Sequence, residues 1–258
     1  MSASIPSMPR HAAQHEARAL RLGHVARLLT GLFAGLIACT ARGASAPEPP
    51  AGALAPSERQ ALLALYARTA GPAWTINTGW GGPSGTECRW YGVRCDERGE
   101  HVVSLELSNN GLRGRLPSLQ ALRRLQVLRV SLNYLQGALP PLAGMRELRV
   151  VTAHNNLLTG PLPSLHALPS LERLVVANNA LHGPLPSMRG LTRLREFDAS
   201  NNQLSGIVPR LDGLDRLRRF DVSFNRLQGV ASGPSLPPGV DLDGNPMRGL
   251  APAPTTGG

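Results

Sequence analysis

The chain has 258 residues and a formal net charge of +10, with only four Phe, three Tyr and three Trp. So few aromatics exclude a large aromatic core, while abundant leucine, glycine and proline suit many short elements with frequent turns. All 27 cationic side chains are arginine, and they are scattered along the chain. They are not gathered on one element with interleaved aromatics, which argues against a nucleic-acid partner.

In chain order, residues 1–27 carry Arg10, Arg18, Arg21 and Arg27 with one acid, Glu16, before the uncharged run "LLTGLFAGLIACTA" from Leu28 to Ala41. As a helix that run would rise about 21 Å, short of a roughly 30 Å hydrocarbon core. A basic stretch before a short apolar run reads as an export signal and not a membrane span. "LIAC", Leu36 to Cys39, resembles the bacterial lipobox, whose cysteine becomes acylated. Acylation of Cys39 and ordinary cleavage near Ala41 or Gly43 are the two alternatives. Residues 1–46 are therefore read as an export signal and the start of a tether, and 47–56 as an unpacked Pro/Ala linker.

Residues 57–101 form the expected N-terminal cap. Ser57 and Gln60 make a candidate capping box for a helix whose apolar face holds Leu62, Leu63, Leu65 and Tyr66. Trp74, Trp80 and Trp90 then crowd together, as a plug over one end of a larger structure would. The last of them lies within "CRWYGVRC", Cys88 to Cys95. Cys88 and Cys95 can be two free buried thiols, a poor half of a metal site, or a disulfide. Export favours the disulfide.

From residue 102 to 250 one sentence recurs. Asn110, Asn133, Asn156, Asn179, Asn202 and Asn225 are 23 residues apart, and Asn245 follows at 20. Each is preceded by alternating apolar residues, such as Leu105 and Leu107, and followed by Leu-x-Gly. Alternation is a strand signal, and a constant period marks a repeat array. Six full units and one terminal unit are expected, with a disordered tail over 251–258.

"LELSNNGLRGRLPSL" resembles a leucine-rich repeat of the plant type, and "CRWYGVRC" resembles the paired-cysteine cap of plant receptor-kinase ectodomains and polygalacturonase inhibitors. "GNPMRG" from Gly244 resembles the close of such arrays, without their usual cysteine. The period of 23 departs from the usual 24, and no Asn-x-Ser/Thr sequon is present. With a bacterial-looking signal, the chain reads as a bacterial protein carrying a plant-like array. The resemblance implies a repeat solenoid of the α/β class, with a parallel concave β-sheet, short 3-10 or irregular convex segments and a capped N-terminus.

Elementary chemistry gives each repeated residue a structural task. The amide of each asparagine can donate and accept at once, satisfying the turn backbone of neighbouring coils. The glycines permit positive φ, and the prolines (Pro117, Pro140, Pro163, Pro186 and Pro209) are expected to stop further strand pairing. Leucines at intervals of three, such as Leu119, Leu122 and Leu125, suit 3-10-like segments on the convex side.

Function is then left to the positions outside the repeat. Six, four, two and one residues before each asparagine, side chains are expected to line the concave sheet. Arg129, His154 and Arg173 make its middle basic. Glu196, Asp198, Asp221 and Asp241 make its C-terminal part acidic, with Arg219 between them, and Leu132 and Phe224 add apolar area. Asp198 and Asp221 form no enclosed catalytic pair on an open sheet. The expectation is a non-catalytic, exported binding protein for a protein, peptide or glycan, without cofactor or metal. It would be held at the cell envelope as an outer-membrane lipoprotein or secreted. The alternative is an effector that intercepts a host protein after delivery into a host cell.

Overall fold

The computed structural model describes residues 53–232 and 236–248. The expected export signal, Cys39, most of the linker and the tail from 251 lie outside the described residues. Within them, the 23-residue spacing becomes a parallel solenoid.

One face is an eight-stranded sheet. Its strands are β1 (Val93–Cys95), β2 (Val102–Glu106), β4 (Val127–Arg129), β6 (Val150–Thr152), β8 (Arg173–Val175), β10 (Glu196–Asp198), β12 (Arg219–Asp221) and β14 (Val240–Asp241), in that spatial order. From β2 onward all pairs are parallel and in step with the repeat, so Leu105 lies beside Leu128, then Val151, Leu174, Phe197 and Phe220. All six are buried. Phe197 and Phe220 stack at 4.8 Å between ring centres. A one-residue slip would turn the whole ladder to solvent, so burial of one face holds the register.

The sequence reading missed a second sheet. The Asn-x-Leu-x-Gly segments form six more short parallel strands: β3 (Arg113–Arg115), β5 (Tyr134–Gly137), β7 (Leu157–Gly160), β9 (Ala180–Pro184), β11 (Gln203–Val208) and β13 (Arg226–Val230). Pairing therefore continues past the asparagine, and β3, β5, β7, β9 and β11 each end before the proline expected to stop them: Pro117, Pro140, Pro163, Pro186 and Pro209. The glycine inside each strand is what lets the chain turn there. Gly114 has φ 108°, and a Cβ on it would overlap the carbonyl oxygen of Arg68.

On the far side of each coil, the expected 3-10 character takes the form of two successive i→i+3 turns and not a continuous helix. Leu122 N–H donates to Leu119 O at 2.9 Å and Leu125 N–H to Leu122 O at 3.0 Å. The three leucines stay fully buried.

The asparagines hold the coils together. Asn133 Oδ1 accepts the backbone N–H groups of Asn110 and Leu112, each at 3.0 Å, and its Nδ2 donates to Leu107 O at 2.9 Å and Val130 O at 3.0 Å. Asn156, Asn179, Asn202, Asn225 and Asn245 repeat the pattern, each accepting a backbone N–H of the preceding coil. Asn110 instead reaches Ile76, tying the array to the segment before it.

That segment covers the first coil. Helix α1 (Pro56–Arg68) begins on proline, with Ala55 as N-cap and no side-chain cap. The Ser57–Gln60 capping box does not form, because Pro56 already occupies the first helical position and carries Ser57 inside the helix. Leu54, assigned to the unpacked linker, is buried in the core. Glu58 is also buried. Its carboxylate accepts Val102 N–H at 2.8 Å and lies 2.8 Å from His101 Nδ1, fastening the helix to β2. The tryptophans pack as a plug, Trp74 against Trp80 at 4.9 Å and Trp80 against Trp90 at 5.2 Å. Each indole N–H has an acceptor: Thr69 O, Tyr91 O and Thr86 Oγ1. Cys88 and Cys95 are joined, with Cα atoms 5.5 Å apart, and the antiparallel strand β1 covers the edge of β2.

Candidate functional site

The outward residues of the eight-stranded sheet lie six, four and two positions before each asparagine. Most of the carboxylates of the acidic patch that the sequence suggested are paired within the sheet. Arg219 Nη2 donates to Asp221 Oδ2 at 2.8 Å and pairs with Asp198 Oδ2 at 3.1 Å. Arg173 pairs with Glu196. Asp198 and Asp221 are each only 7% exposed. The other oxygen of each accepts both the N–H and the hydroxyl of the serine two residues on, Ser200 or Ser223. Burial alone would raise the Asp221 carboxyl. The hydrogen bonds from Arg219 and Ser223, with the charge of Arg219, outweigh it and hold the group below the ordinary carboxylate value. The bond to Asp221 likewise keeps Arg219 above its ordinary value.

The acidic patch is thus largely consumed by its own arginines and serines. Of its members only Asp241 is exposed, and it accepts the N–H of Asp243 at 3.0 Å. Among the described residues no three or more His, Cys, Asp or Glu gather as a metal site would require. His154 is half-buried, with Nδ1 2.9 Å from Ser131 Oγ. Arg129 is exposed.

Leu132 and Phe224 do not lie on the strands. They occupy the turn just after β4 and β12, in left-handed backbone at φ 57° and 52°. The other four coils put Asn109, Asn155, Asn178 and Asn201 there, at φ 51–55°. Asparagine tolerates this region and leucine or phenylalanine does so at a cost of roughly 1 kcal/mol or more. Both side chains are nonetheless over half exposed, and Tyr134 and Leu157 beside Leu132 are as well. Asn-Asn in four repeats was the signal for this geometry; it was legible and was not read.

A second omission lies at the opposite edge of the sheet. Seven residues before the asparagine, where each strand begins, stand Arg149, Glu172, Arg195 and Arg218. With Arg129, Arg173, Arg219, Glu196 and Val150, all of these but Arg149 line a shallow open depression of about 510 Å³. Reading one column further from the asparagine would have found it.

A family model described as Leucine Rich Repeat matches residues 193–213. No curated protein matches the chain. Among solved structures, that of Pollen Receptor Kinase 3 is 28% identical with a TM-score of 0.54, over 64% of this chain and 84% of that one. The ectodomain of the receptor kinase SOBIR1 from Arabidopsis thaliana is 26% identical with a TM-score of 0.57, over 69% and 98%. A plant ice-binding protein is 27% identical with a TM-score of 0.52, over 74% and 72%. The architecture is therefore that of a leucine-rich-repeat solenoid, and its structural neighbours include plant receptor-kinase ectodomains.

Proposed function

We propose that the chain is a non-catalytic binding protein, exported to the cell envelope, that takes a protein, peptide or glycan ligand on the concave face of its eight-stranded sheet. One observation carries this reading. Leu132 and Phe224 hold large apolar side chains in solvent on backbone that disfavours them, at positions where four other coils use asparagine. A local cost kept in an otherwise regular array points to use. The rest of the repeat is absorbed in folding: leucines in the core and asparagines between coils. The likeness to receptor-kinase ectodomains supports the same reading. Export rests on the basic and apolar segment before residue 47, and the envelope anchor on Cys39 as the lipid site, with free secretion as the alternative. No helix among the described residues is long and apolar enough to cross a membrane.

The test is selection of peptides from a random display library on the immobilised full-length protein. Binders should be lost when Thr152→Arg or Leu132→Asp alters the concave side and kept when Arg124→Glu alters the far side. A library yielding no binders, or binders indifferent to both concave variants, would overturn the reading.

A further inference from the structure

Across the sheet from Leu132, the entry edge of the strands carries Arg149, Arg173, Arg195, Arg218 and Arg219, with Arg129 at the end of β4 beside them. Two carboxylates, Glu172 and Glu196, lie among them. Glu196 is taken by Arg173, and Glu172 stands 4.0 Å from Arg195. Arg219 is held by Asp198 and Asp221. Arg129, Arg149 and Arg218 remain exposed and have no ion-pair partner within 4.0 Å among the described residues. The depression they surround is therefore positive after its internal pairs are counted.

We infer that this groove binds an acidic, extended peptide segment, on the reading that the concave face is the binding surface. Three features favour that occupant. Neighbouring strands are about 4.8 Å apart, so Arg149 and Arg195, two coils apart, are separated by roughly 10 Å. That matches acidic side chains three residues apart on a polyproline II chain, where they share one face at roughly 9 Å. Val127, Val150 and Val175 are half-exposed between the arginines and offer aliphatic contact. Among the described residues no Phe, Tyr or Trp stands on the outward positions of the eight-stranded sheet to stack against a sugar ring, which weighs against a glycan. The guanidinium geometry suits carboxylate pairs.

Two fluorescent 12-residue peptides, one with glutamate at every third position among valines and one with glutamine in its place, are titrated against the full-length protein. A uronate oligosaccharide is run in parallel. The acidic peptide should bind at least tenfold more tightly than the neutral one, and rising salt should weaken it. The double variant R129E/R218E should lower its affinity about tenfold. R129E sets a carboxylate opposite Glu106, so R129Q/R218Q is run beside it and should keep the wild-type unfolding temperature while still weakening the acidic peptide. R124E/R193E on the far side should leave binding unchanged. Equal binding of both peptides, a preference for the uronate, or indifference to R129E/R218E would each overturn the inference. The first two leave the concave-face reading intact. If the library selection also fails, both fall together.

Discussion

Arg219 donates to Asp221 at 2.8 Å from two residues back on the same strand, while its neighbour Arg218 has no ion-pair partner among the described residues. Two adjacent arginines therefore have different tasks: one closes the sheet's own charge network and the other faces solvent.

The pairing has a pH signature. Because Asp221 is held below its ordinary value, it stabilises the fold above about pH 4, and that contribution is lost as pH falls through the depressed folded value. Asp221→Asn should cost about 1–2 kcal/mol near neutral pH. The gap from wild type in thermal unfolding should shrink as pH falls below the ordinary carboxylate value. A gap that stays constant would remove the ion pair from the account.

Leu132→Asn should raise stability by up to about 1 kcal/mol, since asparagine suits the left-handed turn. The same change should weaken binding of library-selected peptides. Denaturant unfolding and a binding titration on one preparation measure both. A loss of stability would mean that the exposed side chain is structural after all.

Breaking the Cys88–Cys95 bond by replacing both cysteines with serine should cost roughly 2–3 kcal/mol, as expected for a short closed loop. Hydrogen exchange should rise first in β1 and β2, where the cap covers the sheet edge. Uniform loosening of all coils would contradict that placement.

If Cys39 takes a lipid, labelled palmitate enters the protein in a bacterial host and Cys39→Ser abolishes the label. A wild-type protein that is soluble and unlabelled would leave export without an anchor.

The sequence made the array legible because a fixed period of 23 admits few structures, and Leu105 and Leu128 could be paired before any coordinate was known. The second sheet was not legible. Proline was weighed as a bar to pairing, and β3, β5, β7, β9 and β11 do end before Pro117, Pro140, Pro163, Pro186 and Pro209, but the stretch between asparagine and proline pairs before it gets there. The helix start was misplaced by two residues, Ser57 for the Ala55 cap, because Ser57 fits a cap as well as a second helical position. The acidic ladder was read as a surface, whereas Asp198 and Asp221 are spent on Ser200, Ser223 and Arg219. Side-chain partners two residues away on the same face decide that, and a list of free positions does not show them.

The central claim is that ligand meets the outward face of the eight-stranded sheet. A library-selected peptide carrying a photo-crosslinker, irradiated in complex with the full-length protein, locates that contact by mass spectrometry. The account predicts crosslinks within 127–132, 150–154, 173–177 and 196–200. Crosslinks concentrated in the far-side turns, 119–125, 142–148 and 165–171, would contradict it.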